Sequence, residues 1–199
     1  MNRIIAFEGH NGVGKSHVVK NFSRKINGEY YYGIEDSLLQ DDLKTTFIKD
    51  TYWYASALYF FAGSMHRNYT LQETLKNTDV VLDRSFWSTL AVHWDKGADN
   101  ITQLLSIVQH GQNFFPIPNI IFILTAPYDE CKKRIATKQN LEEKLLDELV
   151  DEQYFQKEVE FYNWLTHNNT FNSKIITIDT MDKSPTEVVE QCYKYYQEI

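Results

Sequence analysis

The sequence predicts an α/β fold, a three-layer sandwich in which helices cover both faces of a five-stranded parallel sheet. Two patterns carry this prediction. Short apolar runs alternate with longer helix-compatible stretches along the chain, which is the element order of parallel α/β proteins. The first apolar run, Ile4–Phe7, leads directly into the glycine-rich motif GxxxxGK[ST] at 9–16, and that motif normally lies between a strand and a helix.

The other elements follow from periodicity and length. Strands are expected where runs are short and apolar or aromatic, at 3–7, 30–34, 80–82, 120–124 and 175–178. Helices are expected at 17–26, 51–76, 86–96, 100–110, 141–150, 151–167 and 185–197, with one more opening at Thr125-Ala126-Pro127. The 199 residues contain no linker or repeat and are enough for one core. We therefore expect a single domain over residues 1–199.

The glycine-rich motif predicts a phosphate-binding loop. Glycine permits positive φ angles and close approach of the backbone, so successive N–H groups and the N-terminus of the following helix can point at an anion. In such a loop the lysine reaches the β- and γ-phosphates, and the following hydroxyl holds Mg²⁺. The residues assigned to it are Gly9, His10, Asn11, Gly12, Val13, Gly14, Lys15 and Ser16. The predicted ligand is a nucleoside triphosphate with Mg²⁺.

Carboxylates follow two of the predicted strands. Asp83 follows the strand at 80–82, and Glu35 with Asp36 follows the strand at 30–34. The carboxyl ends of parallel strands face the ligand crevice, so Asp83 is predicted to hold Mg²⁺ or its water ligands. Each assignment has an alternative. Asp83 could instead be the N-cap of the next helix, although Ser85 could fill that position equally well. Glu35 and Asp36 could be solvated acids in a turn.

A group of basic residues lies in and after the helix that opens near Pro127. It consists of Lys132, Lys133, Arg134 and, one turn further, Lys138. For Lys132 and Lys133 a solvated helix face is the favoured interpretation.

Composition narrows the class of partner. A formal net charge of −7 argues against a broad basic face for nucleic acid, so a small molecule is the expected partner. The two cysteines, Cys131 and Cys192, form no CxxC motif, and the histidines show no zinc-ligand spacing. Because the N-terminus leads directly into the first predicted strand and no apolar run reaches membrane length, we expect neither a signal peptide nor a membrane span. We expect a cytoplasmic protein that makes no membrane contact.

Together these motifs resemble the thymidylate kinase and deoxynucleoside kinase group of P-loop phosphotransferases, over essentially the whole chain. Phe7-Glu8-Gly9 and the glycine loop resemble the group's opening strand and loop. The segment DRSFWSTLA at 83–91 resembles the thymidylate kinase signature DRxxxSxxA. The segment 127–135 resembles the PPExxxxRI lead into the lid, and Ile178-Asp179 resembles the closing strand. The resemblance implies a nucleoside-monophosphate-kinase-like fold with a short lid at about 134–142.

The resemblance also implies roles for individual residues. Lys15 and Ser16 would hold the phosphates of ATP and Mg²⁺, and Asp83 would organise the metal. Arg84 would hold the acceptor phosphate, and Arg134 with Lys138 would close over the γ-phosphate. The residues implied on the acceptor side are Glu35, Phe60, Ser64, Arg67, Arg84 and Ser88. The implied partner is a nucleotide or nucleoside, and a homodimer is one option for the assembly.

Two positions depart from the family pattern. Asn11 stands where the family has an acid at the acceptor sugar, and Ser64 stands where the element Phe-x-Ala-x-Arg has its arginine. Arg67, about one turn later, is the candidate replacement for that charge. The main hypothesis is an ATP-dependent nucleoside monophosphate kinase, thymidylate kinase-like with an altered acceptor. The alternatives are a deoxynucleoside kinase, with Glu35 as the base for a bare hydroxyl, and a catalytically weak nucleotide-binding protein.

Overall fold

The computed structural model describes residues 2–34, 46, 52–137 and 151–199. Within these residues the chain forms five strands: β1 (Ile4–Gly9), β2 (Glu29–Tyr32), β3 (Val80–Asp83), β4 (Ile120–Thr125) and β5 (Lys174–Asp179). The α-helices are α1 (Lys15–Ile26), α2 (Trp53–Leu75), α3 (Phe86–Val92), α4 (Ala98–His110), α5 (Tyr128–Ala136), α6 (Glu152–His167) and α7 (Pro185–Gln197). The short segments Trp94–Lys96 and Gln112–Phe114 are 3₁₀-helical.

All strands of the sheet are parallel, in the order β2-β3-β1-β4-β5. β1 lies at the centre and is buried along its whole length, as expected of a parallel strand covered on both faces. Its neighbours β3 and β4 lie on opposite sides of it, and the register pairs Phe7 with both Asp83 and Phe122. The carboxyl ends of β1 and β3 therefore meet at one edge of the sheet, where ligands bind in open α/β folds.

Helices cover both faces of the sheet, which confirms the predicted three-layer α/β sandwich. On one face, Phe7 and Phe122 pack against Phe22 of α1, with ring centroids 5.2 and 5.7 Å from that of Phe22. On the other face, a second apolar cluster joins Ile121 and Ile123 of β4 to helices α2, α3, α4 and α6. Burial of each large apolar side chain contributes about 1.5–3 kcal/mol, so both clusters stabilise the sheet that positions the site.

The strands and helices predicted within the described residues are present with small shifts at their ends. The helix expected at 86–96 is the exception, because α3 ends at Val92 and a short 3₁₀ segment follows at Trp94–Lys96. The expected helix at 141–150, the acids Glu35 and Asp36, and Lys138 lie outside the described residues. Among the residues that are described, no helix is long and apolar enough to cross a membrane.

Candidate active site

The glycine loop wraps around the carboxyl end of β1, and α1 begins directly at Lys15. Gly9, Gly12 and Gly14 have φ angles of 131°, 86° and 87°, a region that side chains disfavour. At Gly12 a Cβ atom would lie 2.6 Å from the carbonyl oxygen of Cys131 in α5. The loop is thus pressed against α5, and only glycine fits at position 12.

Lys15 is folded back over its own loop. Its Nζ donates to the carbonyl oxygens of Gly9 at 2.9 Å and His10 at 3.4 Å, and the side chain is buried. Desolvation by burial, together with the nearby Arg84 guanidinium, lowers the pKa of Lys15 to about 8, against the opposing effect of Asp83 and Glu8. A buried ammonium group held by two carbonyls is ready to exchange them for phosphate oxygens, which stabilise its charge better.

Asp83 and Ser16, the two residues predicted to hold Mg²⁺, carry oxygen atoms of the kind that this ion prefers. Asp83 is buried at the end of β3, and the Tyr30 hydroxyl donates to its Oδ2 at 3.5 Å. Ser85 caps α3 by accepting from the backbone N–H of Trp87, so Asp83 is not needed as the helix cap. No group of three or more His, Cys, Asp or Glu suited to a metal occurs in the described part of the chain. Mg²⁺ in kinases uses few protein ligands together with phosphates, so this donor set fits it.

Arg84 follows Asp83 and has a left-handed backbone with φ of 72°, a conformation that costs about 1 kcal/mol for a residue other than glycine. Its carbonyl oxygen approaches Gly33 so closely that a Cβ there would lie 2.2 Å away. This backbone turns the side chain toward the loop, where Nη2 donates to Asn11 Oδ1 at 2.5 Å and Nη1 donates to Ser88 Oγ at 3.2 Å. Desolvation alone would lower the pKa of Arg84, but Tyr32, Tyr162 and the acid Glu158 raise it overall. Arg84 is therefore a permanent cation beside Lys15.

Glu8 is a buried carboxylate that the sequence analysis did not assign to the site. Its Oε1 accepts from the backbone N–H and the hydroxyl of Ser85, at 2.8 and 2.6 Å. Its Oε2 accepts from the hydroxyls of Ser88 and Tyr162, at 2.5 and 3.3 Å. Burial raises the pKa of Glu8, and the hydrogen bonds from Ser85 and Ser88 oppose that shift. The sequence did contain one indication of this role. Glu8 is a lone acid in an otherwise apolar strand, and a buried charge needs hydrogen-bonding or charged partners.

The His10 side chain points away from the loop toward α6. Its Nδ1 lies 3.0 Å from Glu158 Oε2, and its ring centroid lies 4.2 Å from that of Phe155. His10, Glu158 and Phe155 are all buried. Position 10 can therefore serve a phosphate through its backbone, while its side chain anchors the loop to α6.

Arg134 joins three parts of the structure. Its Nε donates to Glu130 within α5, and its Nη1 donates to the carbonyl oxygen of Val13 at 3.4 Å. The same guanidinium donates to Oγ1 and to the carbonyl oxygen of Thr180, both at 3.0 Å. To contact a γ-phosphate, Arg134 would have to exchange these partners. Its predicted role over the γ-phosphate stays a prediction, and the contact with Thr180 had no signal in the sequence.

The acceptor-side residues on α2 differ in their surroundings. Ser64 is fully buried, and its Oγ has no hydrogen-bond partner in the described structure. Arg67 is buried and donates to the carbonyl oxygens of Tyr32 and Ile34, at 2.8 and 3.1 Å. Two of its donor groups are thus used to hold the end of β2. Phe60 is half-buried on the same helix.

In the described residues, two cations, one buried acid and the glycine loop lie together at one edge of the sheet. Lys15, Asp83, Arg84, Asn11 and Ser88 come together there, whereas Glu35 and Lys138 lie outside the described residues. Phosphoryl transfer depends mainly on positioning and on neutralising charge. The chemistry that this arrangement can support is therefore the binding and transfer of phosphate groups.

Known proteins resemble this chain over most of its length. The family model for deoxynucleoside kinases matches residues 5–196. A probable thymidylate kinase of Methanocaldococcus jannaschii is 28% identical over 200 residues, covering 100% of this chain and 97% of the relative. A probable thymidylate kinase of Sulfurisphaera tokodaii is 29% identical over 152 residues, covering 73% of this chain and 76% of the relative.

Solved structures show the same fold. A thymidylate kinase from Candida albicans superposes with a TM-score of 0.72 at 18% identity, covering 99% of this chain and 92% of the other. A deoxyadenosine kinase from M. mycoides, determined with dCMP and dCDP, superposes with a TM-score of 0.70 at 17% identity. It covers 98% of this chain and 100% of its own.

Proposed function

The chain belongs to the deoxynucleoside kinase family, and from this premise we propose that it transfers the γ-phosphate of ATP to a nucleoside monophosphate of the thymidylate class. Family membership makes the protein a nucleotide kinase, and the relatives named above are described as probable thymidylate kinases. The phosphate donor, the class of acceptor and the metal ion are our proposals. The placement of Arg84 is the observation that supports a monophosphate acceptor.

A phosphorylated acceptor brings negative charge that a bare nucleoside lacks. Arg84 is a fixed cation at the carboxyl end of β3, adjacent in sequence to Asp83 and hydrogen-bonded to Asn11 of the glycine loop. A guanidinium is suited to phosphate because it presents several N–H donors in one plane. A cation between the donor loop and α3 supports an acceptor that carries a phosphate of its own.

The reaction needs little covalent chemistry from the protein. An oxygen of the acceptor phosphate attacks the γ-phosphorus, the bond to the bridging oxygen breaks, and ADP leaves with that electron pair. Lys15 and the N–H groups at the start of α1 would bind the donor phosphates, and Arg84 would hold the acceptor phosphate against them. Ser16 and Asp83 would hold Mg²⁺, which supplies charge neutralisation on the donor phosphates. The protein contributes alignment and fixed positive charge.

The second candidate is a deoxynucleoside kinase, and one observation on α2 favours it. Ser64 replaces the family arginine, and Arg67 already holds the carbonyl oxygens of Tyr32 and Ile34. This helix thus offers less charge to an acceptor phosphate than the family pattern implies. We propose that the preferred monophosphate differs from dTMP, or that dTMP is used weakly, because one lost contact to a phosphate lowers selection about ten- to a hundredfold.

An ADP-release assay with ATP and Mg²⁺ tests the proposal against a panel of nucleosides and their matched monophosphates. We expect turnover with at least one monophosphate and a higher kcat/KM for it than for its nucleoside. The variant Arg84→Lys tests the role of this side chain, because it keeps the charge but loses the planar fork. We expect it to lower turnover of the monophosphate more than any turnover of the matched nucleoside. Turnover of nucleosides alone would replace this proposal with the deoxynucleoside kinase alternative.

A further inference from the structure

While Glu8 is ionised, the hydrogen bonds around Ser88 have only one possible direction. An arginine side chain has donors only, and a serine hydroxyl carries a single proton. Because Arg84 Nη1 donates to Ser88 Oγ at 3.2 Å, the serine oxygen is the acceptor in that bond. Its proton must therefore point elsewhere, and Ser88 Oγ donates it to Glu8 Oε2, with the two oxygen atoms 2.5 Å apart. The direction of donation runs from Arg84 through Ser88 to Glu8.

Glu8 is itself fixed on its other side. Ser85 donates to Oε1 through both its backbone N–H and its hydroxyl, so the carboxylate cannot rotate without losing two hydrogen bonds. Glu8 and Ser85 are both buried, and a buried network of this kind is rigid when every member is satisfied. Ser88 thus finds an acceptor for its proton in a constant position.

We infer that Glu8 is a positioning residue that orients the Arg84 guanidinium through the hydroxyl of Ser88. Glu8 is not expected to touch either substrate. It keeps the Ser88 proton turned inward, so that the serine oxygen always presents a lone pair to Arg84 Nη1. Since Asn11 Oδ1 accepts from Nη2, the guanidinium is fixed at both of its ends. The inference rests on the proposed function only for its kinetic consequence.

The substitution Glu8→Gln tests the inference because it keeps the shape and removes one acceptor. The backbone N–H of Ser85 requires an oxygen at the Oε1 position, so the glutamine amide group must turn its NH₂ toward Ser88. Ser88 then loses the acceptor for its proton, and the glutamine NH₂ and Arg84 Nη1 must share the two lone pairs of one oxygen whose proton is no longer fixed. We expect a crystal structure of Glu8→Gln to show the Arg84 guanidinium displaced from its wild-type position or in more than one conformer. We also expect NMR to show faster rotation of the Arg84 guanidinium.

A second pair of variants gives an independent readout if Glu8→Gln does not fold. Ser88→Ala should release Arg84 in the same way, and Ser88→Thr, which keeps a hydroxyl, should restore the wild-type position. Tyr162→Phe is the matched control, since it removes another donor to Glu8 Oε2 but leaves Ser88 in place. Arg84 is expected to remain ordered in that variant. An unchanged Arg84 in both Glu8→Gln and Ser88→Ala would overturn the inference.

A double-mutant cycle adds the kinetic test. Glu8→Gln should lower kcat/KM for the acceptor about ten- to a hundredfold in the wild-type background and less than about threefold in the Ser88→Ala background. Equal losses in both backgrounds would show that Glu8 does not act through Ser88. If no acceptor is turned over, the proposed function fails, but the position and rotation of Arg84 still decide this inference.

Discussion

At the scale of single residues, the site contains a buried charge that lowers the stability of the folded protein. Lys15 is buried, and its pKa is lowered to about 8 from an ordinary value of 10.5, first by desolvation and then by Arg84. The unfolded chain therefore binds more protons than the folded protein between these two pH values. By linkage, the stability of the fold rises with pH across that window, and at neutral pH the protonated Lys15 destabilises the fold.

We predict that Lys15→Met abolishes phosphoryl transfer and raises the melting temperature at pH 7. The buried charge costs on the order of 3 kcal/mol, and the hydrogen bonds to Gly9 and His10 that are lost with it offset part of this gain. An increase of a few degrees is expected in differential scanning calorimetry, and the gap should shrink toward pH 10, where wild-type Lys15 is neutral. A lower melting temperature for Lys15→Met at pH 7 would contradict this account of its burial.

The same pKa predicts how ATP binding depends on pH. Lys15 is protonated below about pH 8 and neutral above it, so the dissociation constant of ATP should increase as the pH rises from about 7 to 10. Isothermal titration calorimetry at several pH values measures this. Lys15→Met is the control, because its weaker binding should lack the alkaline rise. The same rise in both proteins would assign it to a different group.

Asp83 is predicted to act through its charge. Asp83→Asn keeps the shape but removes the carboxylate that Mg²⁺ needs, so turnover should fall by at least about a hundredfold. The matched control is Asp79→Asn, which directly precedes β3 at the opposite end of that strand from Asp83 and accepts from the backbone N–H of Arg3. That variant should keep near-parental turnover. Undiminished activity of Asp83→Asn, or of the wild type in excess chelator, would refute the metal assignment.

At the scale of elements, the glycine loop is held by contacts from three sides. α5 presses on Gly12, α6 binds His10 through Glu158, and Arg134 links Val13 to Thr180 after β5. The position of the glycine loop therefore depends on α5, α6 and the β5–α7 connection as much as on β1. Such preorganisation lowers the cost of aligning phosphates.

We predict that Arg134→Ala raises KM for ATP about tenfold, because the loop and the Thr180 segment lose the side chain that joins them. Steady-state kinetics with ATP varied at saturating acceptor provides the measurement. Lys133→Ala, at an exposed neighbouring position, is the matched control and should behave like the wild type. A fall in kcat with unchanged KM would instead support the role over the γ-phosphate that the family resemblance implies.

At the scale of the whole molecule, local patterns predicted the architecture and the glycine loop between β1 and α1. Both depend on residues that are close in sequence: apolar runs with strand or helix periodicity, and glycines at fixed spacing. The contacts that could not be predicted join residues that are far apart in sequence. Glu8 meets Ser85 and Tyr162, which lie 77 and 154 residues away. Arg134 meets Thr180, 46 residues away, and no local pattern specifies that contact.

The acceptor that we propose already carries a phosphate when it receives another. Phosphorus-31 NMR of a mixture of ATP, Mg²⁺ and each member of a matched nucleoside and monophosphate pair tests it directly, since it separates a new diphosphate from a new phosphate ester. We predict that the new signal belongs to the β-phosphorus of a nucleoside diphosphate and that the nucleoside alone yields no product at a comparable rate. A new monoester formed from the nucleoside, with no diphosphate formed from any monophosphate, would contradict the claim.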